Sequence, residues 1–427
     1  MKMKTKIYLG FTLLSSLCVL LSVTSCQKED FGKHVILAKG TEVNPIVKFA
    51  VADTPAEFSV TASATEKAPE DINVTFAFDP VAVEKFNTEH NTTYYVAPEE
   101  ALDISGLSTV IKAGSSASSP VIVKVISTSP LIDGRSYLIP LTIKSVVGGD
   151  MAVLEPSRTI LLRIARIMSF PAVSMNNSNA GTTGSPGTRG SFNGLTLFTP
   201  QNPERLANFT LEIKNLCYAF RGGDGNSNPQ PIQSFVAWTN QWEQGSFGLR
   251  YGELGNPNNS LQLTSPLGGT FAYGFNANQW YTISLAYDGN KCLMYVDGNK
   301  VAELSGSTVL EFSRMQFGQC WGGYHARQYF NGRIAECRVW NRCLTSGEIK
   351  LNLCGADPNA TGLLAYWKLN EGEGSIFHNS STQGARYDMD WSRVYWDPND
   401  KGNDNLTLVD HSSFVVWTND DLNKCSQ

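Results

Sequence analysis

Trp280-Tyr281-Thr282-Ile283-Ser284-Leu285-Ala286-Tyr287-Asp288-Gly289-Asn290-Lys291-Cys292-Leu293-Met294-Tyr295-Val296-Asp297-Gly298 reads as two strands and two turns. β-Branched and aromatic residues crowd both runs, as suits a pleated, half-buried surface. Asp288-Gly289-Asn290 turns the chain between them. Asp297-Gly298 then leads into Val301-Ala302-Glu303-Leu304. Asp-Gly between apolar runs is a strong hairpin signal, because the tight turn needs positive φ at both central residues. An antiparallel meander follows, and with it an all-β unit.

The same texture extends outward over 209–216, 234–239, 247–251, 261–264, 315–317 and 332–340. One segment departs from it. Leu344-Thr345-Ser346-Gly347-Glu348-Ile349 predicts a short helix, with Thr345 as N-cap and Glu348 at N3 of a capping box. Ser234-Phe235-Val236-Ala237-Trp238-Thr239-Asn240 returns in near copy as Ser413-Phe414-Val415-Val416-Trp417-Thr418-Asn419, through either neighbouring strands or chance. Three ordered motifs then give the unit a resemblance: Trp280 to Gly289, Leu293 to Gly298, and Phe330-Asn331-Gly332-Arg333-Ile334-Ala335-Glu336-Cys337-Arg338-Val339-Trp340-Asn341-Arg342. Together they are similar to laminin-G-like domains of the concanavalin A-like lectin/glucanase superfamily. The resemblance implies a jelly-roll β-sandwich, and Gly362 to Gly372 looks like a further segment of it. It does not imply a ligand, since this fold hosts lectins, adhesion modules and hydrolases.

Residues 31 to about 165 contain neither Cys nor Trp. Short β-rich runs at 45–49, 56–60, 74–78, 121–125, 137–144 and 159–164 predict a second sandwich. Asp79-Pro80, followed by Val81, Val83 and Phe86, predicts a short helix with Asp79 as N-cap and Pro80 at N1. With Tyr94-Tyr95-Val96-Ala97-Pro98, Ile111-Lys112-Ala113-Gly114-Ser115 and Tyr137-Leu138-Ile139-Pro140-Leu141-Thr142-Ile143, this order resembles a known N-terminal domain. It is the Ig-like domain of uncharacterised function found in Bacteroides surface glycan-binding proteins and some endoglycosidases. The resemblance implies a spacer. The expected architecture is therefore all-β, an Ig-like sandwich over 41–166 and a concanavalin A-like jelly roll over 167–427. Met175 to Gly190, rich in Asn, Ser, Gly and Thr, is expected to be a loop or hinge.

The N-terminus reads as a targeting segment. Lys2, Lys4 and Lys6 precede an apolar run from Ile7 to Leu21, too short for the roughly 20 residues that span a bilayer. Val23-Thr24-Ser25-Cys26 then resembles a bacterial lipobox. That resemblance implies a signal peptide over 1–25, lipidation at Cys26 and a tether over 26–40. Gln27-Lys28-Glu29-Asp30 resembles the export signal of Bacteroides surface lipoproteins, so the expected location is the outer membrane, lipid-anchored and surface-exposed.

The charged fraction is 17%, against roughly 25% in an average domain, and the net charge is −5. No basic cluster suits a nucleic acid. Among nine cysteines, Cys18 falls in the signal and Cys26 at the lipobox. The other seven, an odd number without a CxxC pair, read as small buried hydrophobes rather than a disulfide framework.

A glycosidase needs two carboxylates facing one cleft. Glu371 and Glu373 are spaced for it but lie in a Gly-flanked turn, and Asp388 and Asp390 lack a third partner in register. Binding suits the residues better. Aromatic rings offer rigid platforms for the apolar faces of sugars, and amides or carboxylates meet the hydroxyls. The candidates are Trp242, Trp321, Tyr324, Trp391, Tyr395 and Trp396, all set among polar residues or glycines, whereas Trp280, Trp340 and Trp367 belong to strand motifs and are expected in the core. Asp397, Asn399, Asp400 and Asp404 form an oxygen-rich string that suits Ca2+, with a solvated turn as the alternative, and Gly222 to Asn226 is a weaker one. The expectation is a glycan-capturing lipoprotein, which by resemblance would serve beside an outer-membrane glycan-import porin complex. An adhesin for a host protein and a hydrolase with an unrecognised site are the alternatives.

Overall fold

The computed structural model describes residues 32–40, 44–52, 54–174, 193–197, 203–227, 230–239, 247–318, 328–396, 407–410, 412 and 415–426. The side chains of Ile167 and of 193–197, 394–396, 407–409, 419–422 and 426 are excepted. The described residues build two β-sandwiches with separate cores. The first buries Val35, Phe49, Val74, Val123, Ile139 and Leu162, and the second buries Phe209, Leu211, Phe235, Trp238, Phe317 and Trp367.

In the first sandwich, Tyr137–Val147 pairs antiparallel with both Ile72–Phe78 and Thr159–Ser174. Ala56–Val60 and Val121–Val125 pair in a smaller sheet. The helix Pro80–His90 starts with Pro80 at N1, as its fixed φ favours. Asp79 does not cap it with its side chain, contrary to expectation. Its Oδ2 instead accepts from Thr142 Oγ1 at 3.1 Å, so a cross-strand partner displaced the local one.

The second sandwich stacks two sheets. One runs Asn299–Ser305, Lys291–Val296, Trp280–Tyr287, Phe209–Cys217 and Gly332–Trp340, and the other centres on Gln233–Thr239 between Phe247–Tyr251 and Arg314–Gly318. The Asp297-Gly298 turn forms as expected, with φ of 48° and 75°. So does the capping box: Thr345 Oγ1 accepts from Glu348 N at 3.3 Å, and Glu348 Oε2 accepts from Thr345 N at 2.8 Å. The near repeat does not mark neighbouring strands. Gln233–Thr239 lies in the second sheet, whereas Val416–Ser426 pairs with Thr159–Ser174 in the first.

Thr159–Ser174 joins the sandwiches. This 16-residue strand, roughly 50 Å at the usual rise, gives its first half to Tyr137–Val147 and Ile46–Val51. Its second half pairs with Val416–Ser426 and, at Val173 and Ser174, with Gly332–Trp340. The expected boundary at 166/167 therefore falls inside one strand. The pairing shifts register between Ser169 and Pro171, where proline has no N–H for the ladder. Nearby contacts tighten the junction. Arg135 Nε lies 3.1 Å from Asp357 Oδ2 and its guanidinium stacks 4.4 Å from the Tyr95 ring, whose hydroxyl donates to the same carboxylate. Gly134 passes so close to the second sandwich that a Cβ would sit 2.1 Å from Ala356 O.

Cys354 and Cys425 form a disulfide, with Cα atoms 5.4 Å apart, correcting the reading of every cysteine as a buried hydrophobe. Their sequence separation of 71 hides the pairing, which only the return of Val416–Ser426 to the shared strand creates. Cys217, Cys292 and Cys337 are buried thiols, and burial pushes the first two up to about 12, leaving them protonated and inert at neutral pH.

The outer face of the first sheet holds a buried charge cluster. Arg338 Nε meets Glu212 Oε2 at 2.9 Å, both side chains having 0% exposure. Glu212 also accepts from Trp340 Nε1 at 2.8 Å and Ser284 Oγ at 3.0 Å. Glu336 sits at the register shift opposite Ile213 and Lys214 with a φ of 47°, which aims its carboxylate at Arg338 and the Tyr366 hydroxyl.

Two stability predictions follow. Arg338→Met strands the Glu212 charge and should cost about 3–5 kcal/mol. Adding Glu212→Leu should restore part of that loss, with urea midpoints as the readout. Cys354→Ser should cost about 2–4 kcal/mol, and a reductant should then have no further effect on its unfolding midpoint.

Candidate functional site at the remote end of the second sandwich

The register defines two ends. Cys217 lies opposite Gly332, Leu216 opposite Trp280, Gln233 opposite Tyr251 and Gly318 opposite Asn193, all at one end. Bonds between the sheets confirm the alignment: Ser234 N donates to Gln328 O at 2.9 Å, and Tyr251 Oη to Asn215 Oδ1 at 2.8 Å. Thr159–Ser174 reaches this end at Ser174, opposite Arg333. The first sandwich, built on the other half of that strand, therefore lies toward the opposite end.

Strand direction sorts the candidate ligand residues. Arg314–Gly318 and Val394–Trp396 both run antiparallel to Asn193–Leu197, so both finish at the remote end. Trp321 and Tyr324 follow the first of these strands, and Asp397, Asn399, Asp400 and Asp404 follow the second; all six lie outside the described residues. Tyr395 and Trp396 are placed by backbone alone, Tyr395 opposite Leu195. Trp242, also outside the described residues, sits between Thr239 and Phe247, strand ends at the other end of the sheet. Cys26 is likewise outside the described residues.

Trp391 corrects the sequence reading. Its ring is 1% exposed and packs 5.6 Å from Phe377 in the core, so it offers no face to a sugar. Polar neighbours in sequence misled here: Asp390 Oδ1 accepts from Ser392 N and Oγ in a tight turn, which lets the ring point inward. Trp280 departs in the other direction. It is half-buried at the remote end, with Lys214 Nζ 5.6 Å from its ring centroid, whereas Trp340 and Trp367 are core as expected.

The described floor of this end consists of residues that the sequence did not flag. Arg221 stacks 4.5 Å from the Tyr329 ring, and its Nη2 donates to Ile232 O at 2.8 Å and Tyr329 O at 2.6 Å. These bonds tie the connection after Phe209–Cys217 to the one before Gly332–Trp340. Arg221 Nε and Nη1 have no partner, and among the described residues no carboxylate pairs with the guanidinium. Burial pulls it down to about 10, still protonated at neutral pH. Gln328 Nε2 donates to Gln230 Oε1 at 2.7 Å, and Gln233 Oε1 accepts from Asn331 N at 3.2 Å. Planar amides, a guanidinium and a phenol thus converge beside the strand ends that lead into 319–327 and 397–406. Gln328-Tyr329 directly precedes the Phe330-Asn331-Gly332 motif, a signal that could have found them.

Other charged groups are engaged in turns. Asp224 Oδ1 accepts from Asn226 N and Ser227 N, closing the Gly222 to Asn226 loop on itself. No group of three or more His, Cys, Asp or Glu able to hold a metal occurs among the described residues. Glu371 accepts from His378 N, while Asp388 accepts from Asn379 N and meets the His378 ring. Glu212 and Glu336 do face one guanidinium, but they are sealed in the interior. No described helix is long and apolar enough to cross a membrane.

Comparison with known proteins agrees with this architecture. Residues 31–150 match the model of a family of N-terminal domains, and residues 224–350 match that of the concanavalin A-like lectin/glucanases superfamily. No curated protein matches the sequence. A Bacteroides ovatus protein provisionally assigned as carbohydrate binding is similar in fold, with 20% identity, a TM-score of 0.54, and coverage of 81% of this chain and 93% of its own. A heptameric SAP-like pentraxin from Limulus polyphemus has 12% identity over 45% of this chain and 84% of its own, at a TM-score of 0.32. Domain 4 of AbnA, a GH43 extracellular arabinanase from Geobacillus stearothermophilus, has 12% identity over 35% of this chain and 67% of its own, at 0.27. The chain thus carries a concanavalin A-like β-sandwich behind a distinct N-terminal sandwich.

Replacing Trp391 should act on stability. Trp391→Ala should lower it by about 3–5 kcal/mol in chemical unfolding, as expected for a cavity in a packed core. Equal stability with loss of a bound ligand would place the ring at the surface instead.

Proposed function

We propose that this chain is a carbohydrate-binding protein whose second sandwich holds glycans at the end remote from the first. The observation that carries the reading is the convergence of Arg221, Tyr329, Gln230 and Gln328 at that end, beside strand ends that lead into the segments bearing Trp321, Tyr324 and the Asp397 to Asp404 string. Sugar hydroxyls pair well with planar amides and guanidinium groups, and sugar C–H faces pack on aromatic rings. The provisional assignment of the Bacteroides ovatus protein points the same way. The proposal extends to lipid anchoring at Cys26 and display on the outer membrane. There the first sandwich lifts the binding end away from the lipid, and captured oligosaccharide passes to a glycan-import porin. A rigid shared strand suits such a spacer, since a hinge would let the binding end fold back.

The test is a glycan array probed with residues 27–427, with and without Ca2+, alongside an assay for released reducing ends. The expected result is binding without cleavage, weakened about tenfold or more by Tyr329→Ala, a loss of about 1.4 kcal/mol. Retention of a protein ligand but no glycan would favour an adhesin. Reducing ends accumulating over hours would favour a hydrolase.

A further inference from the structure

A second concavity lies far from the remote end, at the junction of the sandwiches. It is a cleft of about 360 Å³, with Thr93, Tyr95 and Ser136 on the first sandwich and Asn352, Asn359 and Thr361 on the second. Its size falls at the lower end of the roughly 300–1,000 Å³ typical of small-molecule sites.

The chemistry of the walls is selective. The charged residues that line or back the cleft are already paired: Arg342 Nη1 with Glu348 Oε1 at 2.7 Å, and Arg135 Nε with Asp357 Oδ2 at 3.1 Å. Arg342 Nε also donates to Thr361 O at 2.8 Å. The Asn352 and Asn359 amides and the Thr93, Ser136 and Thr361 hydroxyls, in contrast, make no side-chain hydrogen bond among the described residues. The neutral amides and hydroxyls are therefore available, while the charge of Arg342 is already balanced by Glu348. A charged ligand would have to compete with formed ion pairs, and an apolar one would leave the amides without partners. A polyhydroxylated neutral molecule fits both conditions.

The frame is rigid. The two walls belong to sandwiches that share Thr159–Ser174 and touch at Gly134 and Ala356. The turn Asn352–Cys354 is further held to Val416–Ser426 by the Cys354–Cys425 disulfide. Preorganisation of this kind lowers the entropic cost of binding.

We infer that this inter-sandwich cleft is a second binding site, for one or two neutral sugar rings held by Asn352, Asn359 and Ser136. It stands on its own geometry and does not need the remote end to bind glycan.

The experiment is saturation-transfer NMR and calorimetry on the full chain with glucose, galactose, mannose, N-acetylglucosamine and their β-1,4 disaccharides, with glucuronate as the charged comparison. Asn352→Leu removes the amide while keeping the branched side-chain shape, and Asn359→Trp fills the cleft from an exposed position. Unchanged thermal melts show that both variants fold. The expected result is binding of at least one neutral probe, weakened about tenfold by Asn352→Leu and abolished by Asn359→Trp. It should persist in Arg221→Ala, which disables the remote site. Glucuronate should bind at least tenfold more weakly than glucose. Failure of every probe overturns the inference, as does binding that both cleft variants leave intact. Loss in Arg221→Ala alone would return that sugar to the remote end.

Discussion

Continuity of one strand is the constraint on which this molecule depends. Thr159–Ser174 is at once an inner strand of the first sandwich and a partner of Val416–Ser426 and Gly332–Trp340 in the second. One ladder ends at Arg166 and the other begins at Ile167, so the sandwiches follow one another along a single strand with no linker between them. The direction of that strand also decides which end of the second sandwich is remote. Everything proposed about ligand presentation follows from that geometry.

The molecule divides its polar groups between two uses. Glu212, Arg338, Glu336 and Tyr366 set opposite charges and a hydroxyl against one another in the interior, where a lone charge would be expensive to bury. That cluster is buried and inaccessible to any substrate. At the remote end Arg221 has only carbonyls and a tyrosine ring as partners. At the junction cleft the amides of Asn352 and Asn359 make no side-chain hydrogen bond among the described residues.

Local sequence carries the structure wherever local physics decides it. Asp297-Gly298 needs positive φ whatever surrounds it, and the Thr345–Glu348 box closes within one helical turn. Asp79 shows the limit, because Thr142 on another strand took the side chain expected to cap its own helix. Trp391 and Trp280 show the same limit for burial. A ring's neighbours in sequence say little about the sheet that will cover it, so the surface candidate became core and the core candidate stayed half-buried.

The sequence by itself determined the all-β class, the order of strands and turns, the short capped helix and the family resemblance of both halves. The first three rest on side-chain periodicity or turn conformation within about a dozen residues, and the resemblance rests on several spaced motifs in order. Tertiary structure decided the rest. It set the shared strand, the Cys354–Cys425 bridge and the cleft between the sandwiches. These features join residues from tens to more than two hundred positions apart. Their proximity comes from sheet register and packing, which no local pattern encodes.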